Sequence, residues 1–391
     1  MPYSIHKFVQ VCFPISLLVV AGVLFIPVVQ AQAIETIARE AVLIDTQTGA
    51  VLFEKNANDS MPPASMSKLM TVYMVFERLR DGRLSLDDSF SVSENAWRKG
   101  GTKSGSSTMF LEPGKRVRVE DLLRGIIIQS GNDACIVVAE ALSGSEEAFA
   151  VEMTEKARQI GLKNSTFANA TGWPNENHRM TAMDLALLGT RMIVDFPEYY
   201  HFYSEKSFVY NGIKQSNRNP LIYKGMGADG LKTGHTEESG YGLTASALRG
   251  DRRLVLVVNG LPSKKSRARE PERLLEWGFR EYGNYALLKA GEQIDDATVW
   301  LGKDATVPLI VENNLTVTLP KKSRRTMKAT VKYDGPLPAP ITKGTQMATL
   351  TFTAPGTDPI VIPLVAANDV EQLGLVGRLV AAFRSIVWGG S

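Results

Sequence analysis

The sequence predicts an α/β fold: an antiparallel sheet flanked by helices and joined to a helical subdomain, then a small all-β domain, then a C-terminal amphipathic helix. Three observations carry this. Strand-like hairpins at residues 40–54 and 241–259 bracket helical patterns between Glu120 and Asp195, so strands far apart in the chain must meet in one sheet. Beyond about Asn284 the chain turns into short β-type runs. From about Asp369 to Trp388, apolar residues recur at helical spacing.

The 391 residues, 44% of them hydrophobic, suffice for a sizeable core in two or three domains. Basic residues number 44 against 41 acidic, a balance that offers no electrostatic footprint for a nucleic-acid partner. Residues 1–33 read as a signal peptide: His6 and Lys7 in a charged start, an apolar run from Val11 to Val29, and Ala31-Gln32-Ala33 as a cleavage site. An uncleaved membrane anchor is the alternative. Cleavage would remove Cys12 and leave Cys135 without a disulfide partner. Cys135 opens the apolar run Ile136-Val137-Val138 and reads as a small buried hydrophobe rather than a nucleophile.

The mature chain is expected to open on a hairpin, with Val42-Leu43-Ile44 on one arm and Val51-Leu52-Phe53 on the other. Between Ser65 and Arg80, Met66, Leu69, Met70, Tyr73, Met74, Phe76 and Leu79 are too dense for a surface helix, which predicts a buried one. Start and stop signals divide the helical stretch: a capping box at Ser143 and Glu146, a stop at Gly161, and a second box at Thr181 and Asp184. Strands Tyr241–Leu248 and Arg252–Asn259, joined by Gly250-Asp251, precede a helix from Pro271 to Tyr282 and complete a domain over 34–283.

Residues 284–366 are expected to form the all-β domain, with strands at 298–301, 306–311, 315–319, 327–333, 348–352 and 360–365. Its basic run Lys321, Lys322, Arg324 and Arg325 reads as a solvated loop. In 367–391, Leu373, Leu375, Val376, Leu379, Val380, Phe383, Ile386 and Val387 fall mostly on one helical face, opposite Glu371, Arg378 and Ser385. A buried core helix is one reading. The terminal Trp388 and the lack of a packing partner in sequence favour a helix lying in a membrane interface, too polar to span it.

Three short motifs follow one another: Ser65-Met66-Ser67-Lys68, Ser130-Gly131-Asn132 and Lys232-Thr233-Gly234. Each has a decoy, in Ser4-Ile5-His6-Lys7, Ser93-Glu94-Asn95 and Lys103-Ser104-Gly105, so context decides. Residues three apart share a helix face, which puts the Lys68 amine near the Ser65 hydroxyl as base and nucleophile. A lysine accepts that proton only if burial or a nearby cation lowers its pKa. The Met-rich helix supplies burial, and Lys232 the second cation. Ser130, between two apolar helical runs, would relay a proton to a leaving amine, and Asn132 would hold Lys68 and a substrate amide. Lys232-Thr233-Gly234 directly precedes a hairpin and is the strand-edge candidate. Backbone N–H groups of Ser65 and of the strand after Gly234 would form an oxyanion hole, so the chemistry needs no metal or cofactor.

The motifs and their flanks, Pro62–Thr71, Gln129–Cys135 and Gly230–Thr236, resemble the low-molecular-weight penicillin-binding proteins, serine-type D-alanyl-D-alanine carboxypeptidases with a β-lactamase/transpeptidase-like catalytic domain. The resemblance covers nearly the whole mature chain. It implies Ser65 as acylated nucleophile, Lys68 as general base, Ser130 and Asn132 as the second motif, and Lys232, Thr233 and Gly234 as the substrate-anchoring motif. It further implies that the His235 backbone N–H completes the oxyanion hole and that Arg267 lies near the substrate's terminal carboxylate. Without it, His235 reads as structural and Arg267 as part of a solvated loop with Lys264, Lys265 and Arg269. The partners it implies are peptidoglycan stem peptides ending in D-Ala-D-Ala, β-lactam antibiotics, and a membrane surface touched by the C-terminal helix, at the periplasmic face of the inner membrane.

A class A β-lactamase would share nucleophile and fold but, by resemblance, needs a deacylating glutamate where this chain reads Leu162–Ala170, which has none. A D,D-endopeptidase would carry the same motifs, and the β-domain and terminal helix only tilt the choice towards carboxypeptidase. An intact set of Ser65, Lys68, Ser130 and Lys232 argues against a silent wall-binding scaffold.

Overall fold

A computed structural model describes residues 34–388, with side chains through residue 381. The signal-peptide reading, with Ser4-Ile5-His6-Lys7 and Cys12, lies outside these residues, as do the side chains of Phe383, Ile386 and Val387. The described chain forms two compact units, one ending at Arg280 and one starting at Glu281.

The first unit holds a five-stranded sheet in the order Val51–Lys55, Glu40–Asp45, Arg252–Leu261, Gly240–Arg249, Ala228–Thr236, antiparallel throughout. In its middle strand Leu254 to Val258 are all fully buried, which requires cover on both faces. Helices α1 (Lys68–Arg80), α2 (Glu94–Gly100), α3 (Val119–Arg124), α4 (Asn132–Ser143) and α5 (Glu146–Gln159) precede α6 (Ala182–Asp195) and α7 (Lys264–Glu281). A Cβ on Gly189 of α6 would sit 2.9 Å from Leu231 and 3.4 Å from Val255, and one on Gly278 of α7 would sit 2.7 Å from Leu43 and 3.0 Å from Leu254. Leu254 and Val255 point to opposite faces of their strand, so α6 and α7 sandwich the sheet. Helix α1 is the pillar of the helical region: Lys68 to Phe76 are all buried, against α4, α5 and α6.

The second unit carries a six-stranded sheet, ordered Lys328–Lys332, Gln346–Thr353, Ile360–Ala366, Thr306–Ile310, Gln293–Trp300, Leu337–Pro338, around Val307, Leu309, Leu350, Phe352 and Leu364. A separate ribbon pairs Tyr282–Leu288 with Leu315–Pro320. Helix α8 (Leu375–Trp388) ends the described chain, with Leu375, Val376 and Leu379 exposed by more than 70%. Among the described residues no helix is long and apolar enough to cross a membrane.

Several sequence expectations are corrected. Ser145, not Ser143, caps α5, accepting from the Ala148 N–H, because α4 runs on to Ser143 and stops at Gly144 with φ of +79°. Helix α7 starts at Lys264 rather than at Pro271; Ser263 accepts from the Ser266 N–H at its start, and Pro271 lies inside it. Arg267 is therefore helical and half-buried, not part of a solvated loop. As expected, Lys232-Thr233-Gly234 lies in the edge strand Ala228–Thr236, directly ahead of the hairpin formed by Gly240–Arg249 and Arg252–Leu261. The strand Tyr282–Leu288 begins before Asn284 and takes Tyr282, expected at the end of a helix, because it is held by its non-local partner Leu315–Pro320. In the basic run, Ser323–Thr326 forms a 3-10 turn with the Arg324 guanidinium 5.3 Å over the Tyr285 ring. Helix α8 starts after 369 because Val370 first bridges to Ile341.

Candidate active site

Ser65 lies in a 3-10 turn, Ala64–Ser67, that leads into α1. Two glycines let neighbouring segments close on this turn. A Cβ on Gly234 of the edge strand would lie 3.0 Å from the Pro63 carbonyl oxygen and 3.1 Å from Met66. A Cβ on Gly172, at φ of +76°, would lie 2.0 Å from the Ala64 carbonyl oxygen. The nucleophile turn is thus clasped between the Lys-Thr-Gly strand and the segment 165–175. Asn169 builds that segment: its Oδ1 accepts from the backbone N–H groups of Thr171, Gly172 and Trp173.

The Lys68 amine stands 2.8 Å from Ser65 Oγ and 2.7 Å from Asn132 Oδ1, and donates to the Thr171 carbonyl. It is fully buried. Burial pushes its pKa down to about 8; Arg218 adds to this, while Cys135, Glu146 and Asp133 oppose it. The neutral amine that this favours can accept the Ser65 proton across the same 2.8 Å contact.

Ser130 follows a π-turn, Gly125–Gln129, and adopts the left-handed region at φ of +66°. Its Oγ is buried with no hydrogen-bond partner among the described residues, a costly arrangement unless an incoming group uses it. Asn132 begins α4. Its neighbour Asp133 accepts from Thr108 Oγ1 and from the N–H groups of Met109 and Leu111, pinning the preceding loop to this turn.

Lys232 and Thr233 are buried in the edge strand, with the Lys232 amine 3.1 Å from the Thr233 carbonyl oxygen. Burial holds the Lys232 pKa well below the ordinary lysine value, helped by Lys68 and Arg218. Arg267 Nη1 lies 3.3 Å from the Gly234 carbonyl oxygen, and its guanidinium is 5.3 Å over Tyr241, against which the exposed His235 ring packs at 3.9 Å. The fold therefore gathers Ser65, Lys68 and Asn132 into one hydrogen-bonded set, and Gly234, His235 and Arg267 around Tyr241.

Sequence reasoning missed Arg218, Thr171, Gly172, Asp133 and Tyr241, none of which belongs to a short motif. Asn169-Ala170-Thr171-Gly172 is a turn signal that pointed to a tight loop without saying what it touches. The decoys have other work: Ser93 caps α2 by accepting from Ala96, and the Lys103 amine sits 4.7 Å over the Trp97 ring. Cys135 is fully buried, and burial pushes its thiol up to about 12, which keeps it protonated and inert.

A Ser-Lys pair at a helix start, faced by a buried Ser-Gly-Asn turn and a Lys-Thr-Gly sheet edge, is the arrangement of an active-site-serine acyl-transfer enzyme, and the chain is a serine peptidase. It belongs to the D-alanyl-D-alanine carboxypeptidase family. That family's profile matches residues 27–263, and the profile of the penicillin-binding protein 5 C-terminal domain matches residues 282–372. The chain is 40% identical to D-alanyl-D-alanine carboxypeptidase DacC of Escherichia coli (strain K12), over 88% of its own length and 86% of the relative's. Among solved structures it resembles penicillin-binding protein 5 from Haemophilus influenzae, at a TM-score of 0.74 and 38% identity over 86% of this chain and 98% of that one. It also resembles penicillin-binding protein D2 from Listeria monocytogenes in the ampicillin-bound form, at a TM-score of 0.54 and 30% identity over 62% of this chain and 97% of that one.

Proposed function

We infer that this chain is a serine-type carboxypeptidase that removes the terminal D-alanine from peptidoglycan stem peptides ending in D-Ala-D-Ala, through an acyl-enzyme on Ser65. The observation that carries this reading is the buried Lys68 amine, 2.8 Å from Ser65 Oγ with a pKa of about 8. Lys68 takes the hydroxyl proton as Ser65 Oγ attacks the penultimate D-alanine carbonyl. The N–H groups of Ser65 and His235 receive the oxyanion. Ser130 passes a proton to the departing D-alanine amine, and water then cleaves the ester.

Asn132 holds Lys68 and a substrate amide, while Lys232, Thr233, Gly234 and Arg267 receive the terminal carboxylate. The cationic cluster of Lys232, Arg218 and Arg267 suits that anion. A β-lactam presents a carboxylate and a strained amide to the same groups, and the ampicillin-bound relative supports acylation of Ser65 by this class.

Incubation with a pentapeptide ending in D-Ala-D-Ala is expected to release D-alanine, and cross-linked muropeptides are expected to be cut more slowly. Cleavage of the cross-links alone would replace carboxypeptidase by endopeptidase.

The same reading makes the chain an exported protein, attached to the periplasmic face of the inner membrane through α8. The exposure of Leu375, Val376 and Leu379 supports an interfacial role. Truncation after Gly374 spares the Val370–Ile341 bridge and is expected to release active enzyme from the membrane fraction. Retention of the truncated chain would place the anchor at the N-terminus instead.

A further inference from the structure

Residues 162–170 contain no glutamate, yet the fold delivers one to this segment from another helix. Glu146, the first residue of α5, accepts from the Ala170 N–H at 3.1 Å. On the other side of the same residue, Thr71 Oγ1 of α1 donates to the Ala170 carbonyl at 2.7 Å. The next carbonyl, that of Thr171, receives the Lys68 amine. Glu146 is half-buried, and with Lys99, Thr171 and Trp173 it lines a cavity of about 300 Å³.

We propose that Glu146 is a positioning residue for acylation, fixing through Ala170 and Thr171 the carbonyl that holds the Lys68 amine against Ser65. The proposal rests on Lys68 being the base. The carboxylate also acts on Lys68 through its charge, favouring the ammonium form against the effect of burial. Other groups facing Lys68 are Cys135 and Asp133 on α4, with Arg218, Lys232 and His178. Those facing Glu146 are Lys99 on α2, Glu140 on α4 and its neighbour Glu147. Burial holds the Glu146 carboxyl above the ordinary range.

Glu146→Gln keeps an acceptor for Ala170 and removes the charge; Glu146→Ala removes both. The test is the pH profile of Ser65 acylation by a fluorescent penicillin, on full-length protein of each variant, with thermal midpoints measured in parallel. Loss of a negative charge near Lys68 favours the neutral amine at lower pH. Glu146→Gln is therefore expected to move the rising limb to lower pH while keeping the high-pH rate within about twofold of the parent. Glu146→Ala is expected to lose about tenfold at high pH, the equivalent of one buried hydrogen bond.

A Glu146→Ala rate equal to the parent's at high pH overturns the proposal, as does an equal loss in both variants. If Glu146→Ala does not fold, a tenfold loss of the high-pH rate in Glu146→Gln, which keeps the acceptor for Ala170, overturns it. Absence of labelling in the parent protein would instead sink the assignment of Ser65.

Discussion

Lys68→Ala is expected to slow penicillin acylation of Ser65 by on the order of 10³-fold or more, with the far-UV spectrum of the fold retained. The size follows from the geometry. The Lys68 amine is the titratable group in hydrogen-bond contact with Ser65 Oγ, and its other bonds, to Asn132 and Thr171, aim it there. Alanine leaves those two acceptors to a water, which is a weaker base and less well placed.

In the parent protein the base must be neutral, and the neutral fraction grows as pH rises through the Lys68 value of about 8. Acylation should therefore climb between roughly pH 6 and 9 and level off above, whereas an unperturbed lysine would delay the plateau beyond pH 10. Stopped-flow labelling across that range checks both points, with Ser65→Ala as the unlabelled control. Normal labelling of Lys68→Ala would remove Lys68 from the role of base.

Gly172→Ala is expected to cost about 2 kcal/mol or more of stability and on the order of 10²-fold in acylation rate. The residue sits at φ of +76°, and its added Cβ would fall 2.0 Å from the Ala64 carbonyl oxygen and 2.6 Å from Ser67 Oγ. Neither the backbone oxygen nor the buried Ser67 can yield without moving the nucleophile turn. Thr171, next along the chain, would then carry its carbonyl away from Lys68. Gly144→Ala is the matched control, because Gly144 has φ of +79° and nothing within 4 Å of the added carbon. It carries the left-handed backbone penalty alone, about 1 kcal/mol. Thermal melts and labelling rates that are the same in the two variants would show that the clasp on Ser65 is not tight.

Much of the framework was legible in local patterns. The spacing of Ser65 and Lys68 sets them on one side of a helix start, and the dense apolar residues of α1 require its burial. The Thr181 cap reads directly from its box and is realised by the Asp184 N–H. The alternating runs of the second unit mark most of its strands. The helix cap at Ser145 and the start of α7 at Lys264 compete with other local signals on the same stretch, Ser143 two residues before the one and Pro271 seven residues after the other. Competition between such signals is resolved by how the preceding element ends, which is a tertiary matter.

By itself the sequence determined the fold class, from the order of its helical and strand patterns along the chain, and the three motifs and the pairing of Ser65 with Lys68, which depend on residues within a turn of one another. Only the tertiary structure decided the surroundings of the pair: the Thr171 carbonyl on Lys68, the Glu146 carboxylate on Ala170, the close pass of Gly172, and the arrival of Arg218 and Arg267 beside the edge strand. The hydrogen bonds among them join residues 24, 33 and 103 positions apart, Ala170 with Glu146, Arg267 with Gly234 and Lys68 with Thr171, through backbone groups that carry no residue-type signature. The lowered pKa of Lys68 belongs to the same category, since desolvation is a property of everything that packs around the amine and not of any motif that contains it.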